Sequence, residues 1–581
     1  MLTALCVIVF LIVLLCVPVV IRQLIVRFDS ARVYVGAVFF CFLFCVTMAF
    51  VIPFSPSHDS YTMLATVRKL VNGEGLGNPV YYNFFATNRI PLAIYYLAAK
   101  VFESAFVGIR VLNFLISFVT SILISRVTKN ILGKGTEASA VVMSALAFPY
   151  MIMSGPYIYP IAIFLSALTM YLYTSEKWVM KLISLFPLGL LFMMRMTSSI
   201  FIFGYLFFDA VYSIYQKNNL KMRLIKISSI AISLVWCILF GRVAGLVMNV
   251  TGFYAYPNFL NSAMVWTLDI GTRYDGEATG ASIYTPIDPI EGDEIAYKFH
   301  ELWTLYAEND PADYEKISDL NLEIVEDIKE RAKENFSGKP GNYLDFLKYK
   351  ITNLFRDSYR PYYYELNYNS PSFSSQLQVD WSSDYFLMMN VILLVSALSL
   401  IIYIISIICR KIKKEKLSRE DFAILSFIAS FLLNVVIMVC LTEVMKRYLF
   451  DSYVPITLFI IFVLIRLSEK LKFKWGWMPP LGAGILSMAL FAVLLNTNNQ
   501  NLFKNAVITV AEHDDADQTI TFIFDEKYFD EYIEDGYMIS ASDQVGLSPI
   551  TTIHVPQGKS FNIILGERIF GILGLPLDDA E

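Results

Sequence analysis

The chain has 581 residues, of which 56% are hydrophobic, 15% aromatic and 17% charged, and its mean hydropathy is +0.55. Soluble domains carry about 25% charged residues, so this composition excludes a soluble enzyme, a disordered scaffold and a nucleic-acid binder built on a basic face. The net charge of -5 is unevenly held: 23 acids and 11 bases lie in 251–384, 15 acids and 4 bases in 496–581, and the remainder carries about +18.

Apolar blocks close to the ~20 residues that cross a bilayer as a helix recur along the chain. Twelve spans fit, at 2–21, 33–52, 107–125, 137–154, 157–174, 178–194, 198–215, 226–248, 385–408, 421–441, 449–466 and 476–495. Every second loop is basic, beginning with Arg22, Arg27 and Arg32 and ending with Arg466, Lys470, Lys472 and Lys474. Cytoplasmic loops collect Lys and Arg, so these loops are expected inside. Both termini, the 53–106 loop and the acidic 249–384 loop are then expected outside. The first 21 residues have no charge and so lack the basic start of a cleaved leader; a retained span is expected.

The stretch from Arg89 to Phe102 is apolar but short for a span, and counting it as one would invert every later loop. It is expected as an interfacial helix on the outer side. Residues 290–357 should be helical, with Ile324, Val325 and Ile328, then Leu344, Leu347 and Ile351, at helical spacing. The tail beyond 496 carries short β-rich runs (Thr519–Phe524, Thr551–Val555, Phe561–Leu565) that suggest a small α/β or mostly β cap. The expected fold is therefore an α-helical polytopic membrane protein with about twelve transmembrane helices, a helical outer loop and a small outer C-terminal domain. All seven cysteines fall in or beside spans, with no metal-ligand spacing, and read as small buried apolar residues.

Four places on the outer side could carry chemistry. Asp59, in His58-Asp59-Ser60-Tyr61, sits just beyond the second span, where a carboxylate can take a proton or cap a helix. Arg89 heads the interfacial helix, where a guanidinium can pair with a phosphate or simply reach the headgroups. Arg195 lies in a short turn between two apolar segments, as a ligand or as an anchor. Glu443 and Arg447 are four apart and adjoin Tyr448, a spacing that also suits a turn held by its own ion pair. One acid and several arginines suit sugar transfer from a polyprenyl phosphate. The departing phosphate needs cationic stabilisation, and the acceptor hydroxyl needs one base. A glycosidase would commonly need two carboxylates.

The order of these features resembles the GT-C superfamily of lipid-phosphate-sugar-dependent glycosyltransferases, in the branch of the protein O-mannosyltransferases and aminoarabinose transferases. The resemblance runs through His58-Asp59-Ser60-Tyr61, Asn88-Arg89-Ile90-Pro91-Leu92, Gly108-Ile109-Arg110-Val111-Leu112, and Glu443, Arg447, Tyr448 and Pro455. It covers about 50–215 and 385–495. It implies Asp59 as catalytic base, Arg89, Arg447 and Arg195 at the donor phosphate, and His58, Tyr61, Glu443 and Tyr448 lining the cavity. It also implies a polyprenyl-phosphate-sugar donor, an envelope glycan, lipid or protein as acceptor, membrane lipid and no nucleic acid as partners, and an outer-face site in a bacterial plasma membrane.

The chain departs from the family in having Ser60 where many relatives have a second acid, a single Pro91 where they have two prolines, and one span before the usual first helix. The absent second acid leaves a divalent metal an open requirement. Two other readings stand beside this one: a polymerase- or ligase-like enzyme acting on lipid-diphosphate glycans, and a transporter or flippase of an anionic glycolipid.

Overall fold

The computed structural model describes residues 2–51, 58–76, 79–153, 155–250, 262–274, 292–308, 310, 313–355, 364–367, 381–442 and 446–470, with the backbone of short strands between 508 and 573. In chain order the helices are α1 (Leu2–Arg27), α2 (Ser30–Val51), α3 (His58–Val71), α4 (Pro79–Phe84), α5 (Arg89–Val101), α6 (Ala105–Leu132) and α7 (Glu137–Ala147). They continue as α8 (Ile158–Thr174), α9 (Trp178–Ile183), α10 (Leu185–Met194), α11 (Met196–Tyr215), α12 (Leu220–Val250) and α13 (Ser262–Thr272). The last six are α14 (Glu294–Glu308), α15 (Tyr314–Phe336), α16 (Pro340–Phe355), α17 (Trp381–Ile412), α18 (Arg419–Cys440) and α19 (Tyr453–Lys470).

Among the described residues eight helices are long and apolar enough to cross a membrane: α1, α2, α6, α11, α12, α17, α18 and α19. The chain is a helical polytopic membrane protein. Three of the twelve expected spans are shorter apolar helices, and the segment 476–495 lies outside the described residues. The reasons for the shortening are local. The helix expected over 137–154 ends at Ala147 because Phe148, preceding Pro149, takes an extended backbone at φ -66°, ψ 136°. A residue before proline is sterically kept from the helical region. The segment 178–194 divides at Ser184, three residues before Pro187, into α9 and α10. Proline is tolerated in a first helical turn but not in a helix interior.

The bundle centres on α6 and α19. Nearly every residue of α19 is buried, whereas α12 turns Leu224, Ile225, Leu234, Val235 and Leu239 outward, as a helix facing lipid does. Several of the hydroxyls inside are satisfied on their own helix. Ser121 Oγ donates to the Ser117 carbonyl at 3.0 Å and Thr128 Oγ1 to Ile124 at 2.9 Å on α6. Ser430 Oγ likewise donates to Ser426 on α18 at 2.7 Å. Such bonds give these hydroxyls a partner within an apolar bundle. They also leave small side chains where helices approach closely.

Contacts between loops follow the charge pattern. On the basic side, Arg22 donates to the Ser468 carbonyl and Oγ at 3.1 and 3.2 Å. Arg410 grips Asp421 at 2.9 and 2.6 Å, and Asp209 faces both Lys226 and Arg419. On the other side, Asn83 Nδ2 donates to the Tyr306 carbonyl at 3.4 Å, and Phe84 of α4 lies among Phe299, Trp303 and Tyr306 of α14. Each of these pairs joins segments that the positive-inside pattern assigns to a single face.

The helical loop is a packed unit. Ile317, Ile324 and Ile328 of α15 are buried with Phe299 and Leu302 of α14. Arg273, itself buried, pairs with Asp269 at 2.9 Å and with Asp293. Burial raises the Asp293 carboxyl pKa; the hydrogen bonds from Arg273 and the Ala296 amide more than offset this and hold it below its ordinary value. The expected helix over Leu344, Leu347 and Ile351 is α16, in which Leu344 and Ile351 are exposed and, among the described side chains, Phe346, Lys350 and Leu354 are buried. In the tail, Ile508–Asp514, Thr519–Phe524 and Ile550–His554 pair antiparallel, and Phe561–Leu565 pairs with Arg568–Leu573.

Candidate functional site

The stretch expected as an interfacial helix is helical as α5, whose N-terminus is made by an irregular turn. The turn comprises α4 and a 3-10 segment, Ala86–Asn88. Asn88 Nδ2 donates to the Tyr81 hydroxyl at 2.8 Å, closing the turn from inside. Arg89 then opens α5 with its side chain folded back: Nε donates to the Tyr82 carbonyl and Nη2 to Asn83 Oδ1, both at 2.7 Å. Arg89 is 2% exposed, so it does not reach out to headgroups. In this geometry two of its three nitrogens shape the loop itself.

The helix α3 begins at His58, so Asp59 occupies its first turn instead of preceding it. The positive end of the helix dipole favours an anion at that position. The side chains of His58, Asp59 and Tyr61 are outside the described residues, as is Glu443 entirely. Arg447 lies on the backbone of a 3-10 segment, Lys446–Ser452, and its side chain is also outside them. The expected Glu443–Arg447 pair therefore falls outside the described residues. The α-helix α18 has already ended at Cys440.

Arg195 is the best-defined of the expected residues. It stands at the break between α10 and α11, with a non-helical backbone at φ -152°, ψ 84°. Its Nε donates to both carboxylate oxygens of Asp451, at 3.0 and 3.1 Å, and its Nη2 to the Tyr159 hydroxyl at 3.0 Å. The guanidinium carbon lies 5.0 Å from the Tyr159 ring centre and 4.9 Å from that of Tyr448. Asp451 also accepts from Thr197 Oγ1 at 2.6 Å and Ser198 Oγ at 2.9 Å. The Arg195 side chain retains 24% exposure against 3% for Asp451. The carboxylate thus accepts from three side chains, while the Arg195 side chain keeps part of its surface exposed.

These places share a neighbourhood. The helix α10, which ends at Arg195, packs against α5 and the turn before it, and α3 packs against α5. Tyr95 of α5 donates to Asn113 Oδ1 at 3.1 Å and the Tyr157 carbonyl at 3.0 Å. Asn113 donates in turn to the carbonyls of Met153 and Gly155, at 3.2 and 3.1 Å. This network fixes the start of α8, which carries Tyr159, relative to α5. Arg195 and Tyr448 are brought together, and Arg89 opens the helix against which α10 packs.

Asp451 was not anticipated from the sequence. It falls among apolar residues that read as the start of the 449–466 span, and the available signal was an acid at the edge of an apolar segment. Among the described residues no group of three or more His, Cys, Asp or Glu side chains is placed to hold a metal ion. A scan against protein-family models gave no match, and a search of curated proteins gave none.

Proposed function

We propose that the chain is a membrane glycosyltransferase. It moves a sugar from a polyprenyl-phosphate-linked donor to an envelope glycan, lipid or protein on the outer face of a bacterial plasma membrane. The observation that carries the reading is the Arg195 cluster. A guanidinium, flanked by two tyrosine rings, is held by Asp451 at the end of α10, which packs against α5, the helix that Arg89 opens and against which α3 packs. A prealigned cation at a partly desolvated site stabilises charge developing on a phosphate oxygen, and needs no rearrangement to do so.

The reaction would be a direct displacement. The acceptor hydroxyl attacks the anomeric carbon as Asp59 takes its proton, and the polyprenyl phosphate departs with the bonding electrons. Arg195 and Arg447 would meet the leaving phosphate. Tyr448, His58, Tyr61 and Glu443 would line the cavity, and Arg89 would set the loop that presents Asp59. The strands after 507 would form an outer cap.

The test joins a disruption strain with a point variant. Mass spectrometry of the disruption strain should find a polyprenyl monophosphate sugar accumulating and one envelope decoration missing. Asp59→Asn should accumulate to wild-type levels in the membrane yet fail to restore that decoration. Restoration by Asp59→Asn would remove Asp59 as base; accumulation of a lipid-diphosphate glycan instead would replace the donor class.

A further inference from the structure

At the basic end of the bundle one carboxylate faces cations from three other helices. Asp209 of α11 is buried. It pairs through Oδ2 with the Lys226 ammonium of α12 and through Oδ1 with Arg419 Nη2 of α18 at 3.6 Å. Lys181 of α9 lies within electrostatic reach of all three, its ammonium 5.7 Å from the Tyr173 ring centre. Tyr173 and Tyr205 meet edge to face with ring centres 6.0 Å apart. Tyr205, Asp209 and Tyr212 border a small recess that Arg419 and Phe422 also line.

The charge here does not balance. One carboxylate offsets one cation of the three, and among the described residues no other acid forms an ion pair with Lys181, Lys226 or Arg419. The excess lies at a definite depth. Asp209 is six residues from the end of α11 at Tyr215, and Lys226 is six from the start of α12 at Leu220. At 1.5 Å per residue each is roughly 9 Å inside its helix end. The polar zone of a leaflet is about 5–8 Å deep, so the cluster falls where headgroups meet hydrocarbon. Trp178, which opens α9 and is 70% exposed, marks the same level, because exposed tryptophans settle at the headgroups. Cations at this depth are costly unless an anion joins them.

The surface beside the cations is apolar. Leu182 and Ile183 next to Lys181, and Leu224 and Ile225 next to Lys226, are each exposed by about half. A soluble anion has no use for such a surface, whereas acyl chains do. We propose that this cluster binds an anionic phospholipid of the leaflet at the basic end. The headgroup phosphate sits between Lys181 and Arg419, and the chains lie on the exposed apolar faces of α9 and α12. The Arg419 guanidinium offers paired donors to phosphate oxygens, and the Lys181 ammonium adds a point charge. Basic pockets between transmembrane helices hold anionic headgroups through the same chemistry. Fourteen residues of chain, about 20 Å along α11, separate Asp209 from Arg195, so this site is distinct from the proposed donor site and does not depend on it.

The test uses the full-length protein in detergent, stripped of native lipid. Phosphatidylglycerol and phosphatidylcholine with the same acyl chains are titrated separately by native mass spectrometry. The wild type should hold phosphatidylglycerol more tightly. Lys181→Gln and Arg419→Gln both leave Asp209 its pair with Lys226. Each should weaken phosphatidylglycerol binding about fivefold, the worth of one basic residue at an anionic leaflet, without changing phosphatidylcholine binding. Lys181→Arg should bind as the wild type does. Lys134→Gln removes an exposed cation elsewhere on the basic side and should change nothing. Equal weakening by Lys134→Gln would reduce the cluster to a diffuse basic surface and overturn the site. Equal binding of the two lipids by the wild type, or unchanged binding in Lys181→Gln and Arg419→Gln, would overturn it too. Inorganic phosphate in large excess should leave the lipid bound; complete displacement would make this a site for a soluble anion and remove the lipid from it.

Discussion

Arg195 has two jobs that pull in different directions. Its pairing with Asp451 satisfies a carboxylate that is almost wholly buried, which is an anchor's work; its partly exposed side chain and tyrosine-lined faces suit an anion. The two can be separated by how the pair is removed. Asp451→Ala alone leaves a guanidinium without its counter-charge and should cost about 2–3 kcal/mol, below the ~3–5 of a fully buried pair because Arg195 is partly exposed. Replacing both partners together, as Arg195→Met with Asp451→Leu, should recover most of that stability, because apolar isosteres often replace a buried pair at little cost. Thermal unfolding in detergent reads the stability, and farnesyl phosphate titration reads the site. A double variant that is stable but no longer binds would assign Arg195 to the ligand; a stable double variant with wild-type binding would leave it an anchor. Arg195 was legible in the sequence as a cation on the sparsely cationic side. Its partner was not, because hydropathy is averaged over a window in which Leu449, Phe450 and Val454 outweigh a single acid.

Helices were more legible than their phases or their breaks. The 89–102 stretch was recognisable because its length was wrong for a span and its charge parity wrong for a crossing, and it is α5. Along α16 the apolar Ile351 is 47% exposed while Lys350 is buried, because a carbonyl in the last turn of α13 and one just beyond α18 accept from its ammonium. The packing of α5 on α6 depends on a position the sequence marks only as glycine. A Cβ on Gly108 would lie 2.6 Å from both the Ala98 carbonyl oxygen and Ala99 Cα, which are backbone atoms that cannot rotate aside. Gly108→Ala should therefore cost about 1–3 kcal/mol by overpacking. Gly36→Ala is the matched control: its Cβ meets nothing within 4 Å, so higher helix propensity should leave stability equal or better. Equal unfolding temperatures for the two alanine variants would show that α5 and α6 do not approach as described.

At the scale of the whole molecule, membrane crossing was legible because charge is sorted by a rule that acts on loops, not on windows. Lys226 and Arg419 meet Asp209 on one side, while Asn83 meets Tyr306 and Lys350 meets Thr442 on the other. No such contact requires a basic loop to reach across the bundle. The shorter helices at 137–147 and 178–194 weaken a parity built on twelve crossings only if one of them fails to cross. An odd number of failures would turn the acidic loop to the same side as Arg22. Sidedness can be measured directly. Cys409 is exposed near the basic end of α17, and Lys329 of α15 is exposed in the acidic loop. An impermeant maleimide applied to intact cells should label Lys329→Cys above the parent chain. Labelling that depends on Cys409, judged by its loss in Cys409→Ser, should appear only after the membrane is opened. Labelling of both positions from outside would break the parity. Labelling of Cys409 alone would invert it, carrying the Arg195 cluster to the cytoplasmic face and taking the proposed donor site with it.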